Sequence, residues 1–275
     1  MLHKTISLKE SFSVLGENGC DPKLTLYLHE KHPELKRKTE KLPCLLICPG
    51  GGYGFVSARE AEPIVLNFLP KGFQVFVLTY SVAPHKYPTQ LRQVAAAMEV
   101  IHANADAWDC DTNRIGIMGF SAGGHLACHY SNCYDCADVR AVFPDSKGVN
   151  AAVLSYPVIS ADPRWRHTGS FQNLAGEQEV SQETIEKFSL HTKVTDHTPP
   201  TFLWHTAQDQ LVHVMNTLLY AQALAQHNVP FSVRIYPRGL HGLATADDQT
   251  CADWAEVPNV HQWMEEAAQW LLETM

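Results

Sequence analysis

The sequence predicts an α/β fold, a mostly parallel sheet of eight strands flanked by helices, with a small cap insertion late in the chain. Three observations carry the prediction. Short continuous apolar runs such as Leu45-Leu46-Ile47-Cys48 and Val75-Phe76-Val77-Leu78 suit strands covered on both faces. These runs alternate with helix-length segments, which is the pattern of a parallel sheet sandwiched by helices. Two of the runs end in glycine-rich turns, at Pro49-Gly50-Gly51-Gly52-Tyr53 and Gly119-Phe120-Ser121-Ala122-Gly123.

The elements follow in order. Two antiparallel starter strands are expected near residues 5 to 15 and 24 to 30. The charged excursion from Glu30 to Lys41, with His32-Pro33, reads as a solvated turn. Parallel strands are expected at about 43 to 48, 73 to 79, 114 to 119, 150 to 155, 201 to 206 and 231 to 236. Helices fall at about 59 to 69, 88 to 108, 122 to 133, 211 to 227 and 257 to 273. Residues 157 to 198 fit the alternation least well, and they predict a short helical cap inserted into one domain that spans 1 to 275. Trp165, Phe171 and Phe188 in that insertion either line a pocket or glue the insertion to the body.

A chain of 275 residues can bury a full core in a single domain. The formal net charge of −8 opposes association with phosphate backbones and anionic membrane surfaces, so neither nucleic acid nor membrane is expected as a partner. The amino-terminal Met1-Leu2-His3-Lys4-Thr5-Ile6-Ser7-Leu8 lacks a sustained apolar stretch; unless a leader has been removed, a cytoplasmic location follows. Several of the eight cysteines lie inside predicted core elements, where a free thiol behaves as a small hydrophobe. Cys133-Tyr134-Asp135-Cys136 has redox or zinc spacing, but no second CxxC accompanies it at finger spacing and it reads as structural or incidental.

The chemistry centres on Ser121. Arg114-Ile115-Gly116-Ile117-Met118 reads as a strand and Ala122 to Tyr130 as a helix, so Gly119-Phe120-Ser121-Ala122-Gly123 is a strand-turn-helix GxSxG elbow. Glycines at 119 and 123 remove side chains where strand and helix pass close, and the sharp turn presents the hydroxyl outward. The three glycines at 50 to 52 leave backbone N–H groups open to a developing anion. A phosphate nest is the weaker reading, because no Gly-Lys-Ser or Gly-Lys-Thr follows and GxGxxG spacing is absent.

A serine hydroxyl at neutral pH needs a base, and the base needs an orienting acid. Thr201-Phe202-Leu203-Trp204 runs into a loop carrying Asp209, and the strand Phe231 to Tyr236 runs into Pro237-Arg238-Gly239-Leu240-His241-Gly242. Ser121, Asp209 and His241 therefore occur in the chain order Ser, Asp, His, each beyond the carboxyl end of a strand, where ligands of open parallel sheets bind. Asp209 also reads as a helix cap ahead of Val212, Met215 and Leu219. Asp247 and Asp248 are rival acids, although they follow the histidine, against the usual order.

These motifs resemble the α/β-hydrolase superfamily, esterase/lipase branch, with its HGGG-type oxyanion loop. Together with Ser155-Tyr156-Pro157-Val158 they are similar to bacterial esterases described as xylanase-like acetyl-ester hydrolases, over roughly residues 20 to 273. The resemblance implies Ser121 as nucleophile, Asp209 as acid and His241 as base. It further implies oxyanion donors at Ala122 and at Gly51 or Gly52. One position departs: Pro49 stands where HGGG has its histidine and cannot donate a backbone hydrogen bond, so the bracing of that loop must come from elsewhere.

The expected activity is hydrolysis of short-chain acyl esters, with acetylated sugars as the substrate the resemblance suggests, through an acyl-enzyme and without metal or cofactor. A small-molecule ester is the expected partner, and a homodimer is the expected assembly, as is common for such enzymes. Two other readings stay open: a serine peptidase or amidase of the same fold, and a non-catalytic member that binds a ligand in the old pocket.

Overall fold

A computed structural model describes residues 1–32, 34–37, 39–251, 257 and 259–275, with the side chains of 17 and 18 outside the description. Eight strands form one sheet: β1 (Leu2–Ser7), β2 (Lys23–Leu28), β3 (Leu42–Cys48), β4 (Gln74–Thr79), β5 (Cys110–Phe120), β6 (Ala151–Ser155), β7 (Thr201–Thr206) and β8 (Phe231–Tyr236). Their spatial order is β1-β2-β4-β3-β5-β6-β7-β8. The β1–β2 and β2–β4 junctions are antiparallel, and every junction from β4 through β8 is parallel. The described helices are α1 (Leu8–Ser11), α2 (Glu62–Phe68), α3 (Thr89–Ala103), α4 (Ser121–Cys133), α5 (Ala137–Arg140), α6 (Thr168–Ala175), α7 (Gln182–Phe188), α8 (Met215–Gln226) and α9 (Trp263–Thr274). This is the α/β-hydrolase architecture.

The continuous apolar runs have a direct cause. Successive side chains of a strand point to opposite faces, and both faces of the central strands are covered. In β3, Cys44, Leu46 and Cys48 join the core formed with α3, α4 and α8, while Leu45 and Ile47 join a second core with α2 and α9. In β4 the same division separates Phe76 and Leu78 from Val75 and Val77. The sheet is thereby held rigid from both sides, and the loops at its carboxyl edge are set on a fixed frame.

Some boundaries differ from expectation. The first starter strand stops at Ser7, and the chain then turns through α1 and a 3-10 segment, Ser13–Gly19. Leu8, Phe12 and Leu15 are spaced four and three residues apart, a helical spacing that buries Leu8 and Leu15 in the core with Phe12 packed against it. The helix expected from 211 begins at Met215, because the Asp209 side chain accepts the N–H groups of Leu211 and Val212 and holds those residues in a turn. The helix expected from 257 begins as a 3-10 turn at Val260 and becomes α9 at Trp263. Pro33 of the expected turn and Pro258 of that last expected helix lie outside the described residues.

The 157–198 segment carries α6, α7 and a 3-10 turn, Leu190–Thr192. Its aromatics act as glue. Phe171 packs edge-on to His125 with ring centroids 5.4 Å apart, and Phe188 lies against Tyr87, His125 and His129. Trp165 instead packs on His213. All eight cysteines are free thiols, and the Cys136 N–H closes a turn onto the Cys133 carbonyl. Among the described residues no helix is long and apolar enough to cross a membrane.

Candidate active site

The turn between β5 and α4 is tight because its neighbours leave no room for side chains. A Cβ on Gly119 would sit 2.3 Å from the Gly123 carbonyl oxygen, and one on Gly123 would sit 2.2 Å from the carbonyl oxygens of Cys48 and Pro49. Ser121 itself is held at φ 52°, a left-handed conformation that non-glycine residues rarely adopt. Such strain persists only where the surroundings over-determine it. Here it aims Oγ at the loop after β8.

There, His241 Nε2 accepts the Ser121 hydroxyl proton at an O···N distance of 2.8 Å. The other ring nitrogen, Nδ1, donates to Asp209 Oδ2 at 2.6 Å. This sets the tautomer, since Asp209 can only accept when ionised and Nε2 is left free to take a proton. Asp209 divides its two oxygens. Oδ1 accepts the N–H groups of Leu211 and Val212 at 2.9 and 3.0 Å, and Oδ2 faces the imidazoles.

A second histidine completes the seat of the acid. Buried His205 on β7 donates from Nε2 to the Val212 carbonyl at 2.9 Å and to Asp209 Oδ2 at 3.2 Å, and its Nδ1 accepts from the Thr217 hydroxyl at 2.8 Å. Burial opposes ionisation of Asp209, but the hydrogen bonds from His205 and His241, the positive charge of the His241 ring once protonated and the Val212 N–H outweigh it. The Asp209 carboxyl is thus held well below the usual carboxylate range.

The glycine loop lies directly beside the nucleophile. A Cβ on Gly50 would be 2.8 Å from the Phe120 carbonyl oxygen and 3.0 Å from Ser121 Cβ. Gly51 and Gly52 adopt φ +124° and +62°, and among the described residues their N–H groups have no protein acceptor. The Ala122 N–H lies in the first turn of α4, where no helical carbonyl can receive it. Three donors are therefore available around Ser121.

What Pro49 cannot brace is braced by its surroundings. The Tyr80 hydroxyl donates to the Pro49 carbonyl at 2.7 Å, and the Gly50 N–H donates to Glu60 Oε2 at 2.7 Å. Asn173 on α6 donates from Nδ2 to the Gly52 carbonyl at 2.9 Å. Glu60, 3% exposed, also takes the Tyr156 hydroxyl at 2.7 Å, and that hydroxyl oxygen accepts the Ala244 N–H at 3.0 Å. The Tyr156 ring stands edge-on to His241 with centroids 5.0 Å apart. One buried carboxyl group thus links the glycine loop to the loop that carries the base. Burial, and then the neighbouring Glu60, push the Tyr156 phenol well above its ordinary value, so it stays a donor.

Ser121 and His241 open into a cavity of about 520 Å³, walled by Gly51, Gly52, Phe55, His167, Asn173 and Leu211 among others. Trp165, Phe171 and Phe188 are not on its wall. Ser121, Asp209 and His241 come together as a hydrogen-bonded relay. Asp247 takes another part, with Oδ1 accepting from the Thr245 hydroxyl and the Gln249 N–H. Among the described residues no group of three His, Cys, Asp or Glu side chains could hold a metal ion. Glu60, Tyr80, His205, His167 and Asn173 carry no motif that marks them in the sequence. Tyr156 does stand in a motif, Ser155-Tyr156-Pro157-Val158, but with no role that the motif itself assigns.

Compared with known proteins, residues 32–224 match the model of the BD-FAE family. The chain is 37% identical over 248 residues to endo-1,4-beta-xylanase B of Butyrivibrio fibrisolvens, covering 86% of this chain and 37% of that protein. It is 31% identical over 199 residues to an acetylxylan esterase of Xylanibacter ruminicola, covering 71% of this chain and 40% of that one. The chain thus spans well under half the length of these two curated relatives. Among solved structures it resembles the acetyl ester-xyloside bifunctional hydrolase of Caldicellulosiruptor lactoaceticus, with TM-score 0.84, 34% identity, and coverage of 98% of this chain and 96% of that one.

Proposed function

The chain belongs to the BD-FAE family, and from that premise and the geometry of its site we propose that it is a serine carboxylesterase acting on short-chain acyl esters, with acetylated sugars as its substrate class. The observation that carries the reading is the relay from Ser121 Oγ through His241 to Asp209, seated beside open glycine N–H groups. In the reaction His241 takes the Ser121 proton as Oγ attacks the ester carbonyl, and Asp209 keeps the imidazole in the accepting tautomer. The oxyanion is met by the Ala122 N–H and by that of Gly51 or Gly52, donors worth on the order of 3 kcal/mol each in the transition state. His241 then returns the proton to the departing alcohol, and water, activated by the same base, releases the acid.

The sugar half of the reading is supported by the likeness to an acetylxylan esterase and to an acetyl ester-xyloside bifunctional hydrolase. The short-acyl half is supported by a cavity of about 520 Å³ whose wall beside Ser121 is the glycine loop. Segment 157–198 serves in this reading as a cap within a single domain, because His167, Gly169 and Asn173 from it wall the cavity.

The test is a ladder of p-nitrophenyl esters from acetate to palmitate. A peak at acetate or butyrate supports the proposal. Silence across the ladder together with hydrolysis of amide substrates contradicts it.

A further inference from the structure

His167 on the cavity wall pairs with Ser170 buried behind it, and the pair's chemistry is constrained. His167 Nδ1 lies 2.8 Å from Ser170 Oγ, and Ser170 is fully buried at the start of α6. Among the described residues, His167 Nδ1 is the acceptor within hydrogen-bond reach of that hydroxyl. If Nδ1 carried the proton, the Ser170 O–H would be left buried with nothing to receive it, which costs free energy. The arrangement with every group satisfied has Ser170 donating to Nδ1, which places the ring proton on Nε2. Nε2 has no protein partner among the described residues, and the residue walls the cavity that holds Ser121. Burial, and then the nearby His241, lower the tendency of His167 to protonate, consistent with a neutral ring carrying that one N–H.

Asn173 supplies the opposite polarity six residues further along the same segment. Its Nδ2 must face the Gly52 carbonyl, since a carbonyl can only accept, and its Oδ1 is therefore turned away from that bond. It walls the same cavity. A donor and an acceptor at one wall complement a hydroxyl group, which is both acceptor and donor. Neither feature serves the alkyl part of an acyl chain.

We propose that His167 Nε2–H and Asn173 Oδ1 form a hydroxyl-recognition subsite that binds the sugar alcohol of the ester, His167 donating to a ring hydroxyl and Asn173 accepting from one. This subsite rests on the reading of the protein as an esterase of acetylated sugars. Sites built to bond a substrate hydroxyl discriminate against analogues that lack it, because their own polar groups are then left unpaired.

The experiment measures kcat/KM for acetylated xylo-oligosaccharides and for p-nitrophenyl acetate, and reads the ratio of the two. His167→Phe should lower that ratio about tenfold, chiefly through KM for the sugar ester, and His167→Gln, which keeps an N–H donor near the Nε2 position, should recover most of it. Ser170→Ala retains the ring but frees its tautomer, and should lower the ratio by a smaller factor; it also serves if the phenylalanine variant folds poorly. A wild type that prefers sugar esters, with the same ratio in all three variants, would overturn the subsite and leave the sugar reading intact. A wild type that cleaves p-nitrophenyl acetate but not the sugar esters would overturn both.

Discussion

Asp209 Oδ2 accepts from His241 Nδ1 at 2.6 Å while Asp209 Oδ1 is committed to the backbone N–H groups of Leu211 and Val212. The acid therefore cannot rotate without abandoning the loop it organises. In Asp209→Asn the remaining oxygen keeps those two backbone donors, which turns the amide nitrogen toward His241. The imidazole must then accept at Nδ1 and carry its proton on Nε2, the wrong tautomer to receive one from Ser121. Steady-state kinetics should show kcat lowered roughly 10³- to 10⁴-fold with the fold retained, and a loss below tenfold would contradict the role assigned to Asp209.

Glu60 is the hinge of the second network. In Glu60→Gln one of its two carboxyl oxygens becomes an amide donor, facing either the Gly50 N–H or the Tyr156 hydroxyl, each a donor at 2.7 Å. A buried donor left unpaired costs about 1–3 kcal/mol, so thermal stability falls. Because the displaced loop carries the proposed oxyanion donors, kcat on p-nitrophenyl acetate should fall about 10- to 100-fold with KM little changed. Tyr156→Phe should destabilise by a similar amount, leaving the Ala244 N–H unpaired.

Acid should weaken the fold in two stages. Burial pushes His125 from 6.5 down to about 4, against the favourable Phe188 carbonyl, and pushes His129 down as well. The unfolded chain thus takes up these protons first as pH drops, so their contribution, full above pH 6.5, is lost progressively below it; for His125 the loss runs from pH 6.5 to about 4 and is on the order of 3 kcal/mol. Asp209 has its folded value depressed, so its contribution is present above the ordinary aspartate value near 4 and is lost below it. Urea midpoints measured from pH 8 to pH 4 should fall steadily below pH 6.5. A flat profile down to pH 5 would contradict the burial of these histidines.

Much of this was legible in the chain. Ser121, Asp209 and His241 each follow a strand whose apolar run marks its end, and their order matches the topology, so one-dimensional spacing placed them on one edge. Glu60 and His205 carry no such mark. Glu60 sits in the polar run Ser57-Ala58-Arg59-Glu60-Ala61-Glu62, and its burial depends on a 3-10 turn that folds it under the glycine loop. His205 falls at the tail of a predicted strand, and its bond to Asp209 exists only because the loop returns at Val212. The cap aromatics show a further limit: by composition Phe171 and Phe188 fit a pocket wall and a packing role alike, and only the fold decides between them, by packing both on His125 and its neighbours in the core.

Gly123 tests the elbow by sterics alone. In Gly123→Ala the new methyl would meet two backbone carbonyl oxygens, those of Cys48 and Pro49, neither of which can move without shifting β3. Destabilisation of about 3 kcal/mol or more is expected, read as a lowered melting temperature with activity lost. Unchanged stability would mean that strand and helix do not pass as closely as described.

The central claim is that Ser121 is a nucleophile activated by His241. The most direct measurement is labelling with a fluorophosphonate, read by intact-protein mass and peptide mapping, in wild type and in Ser121→Ala. The account predicts stoichiometric modification of wild type at Ser121 and none in the variant. Well-folded wild type that resists the probe, or equal labelling of both proteins, would contradict it.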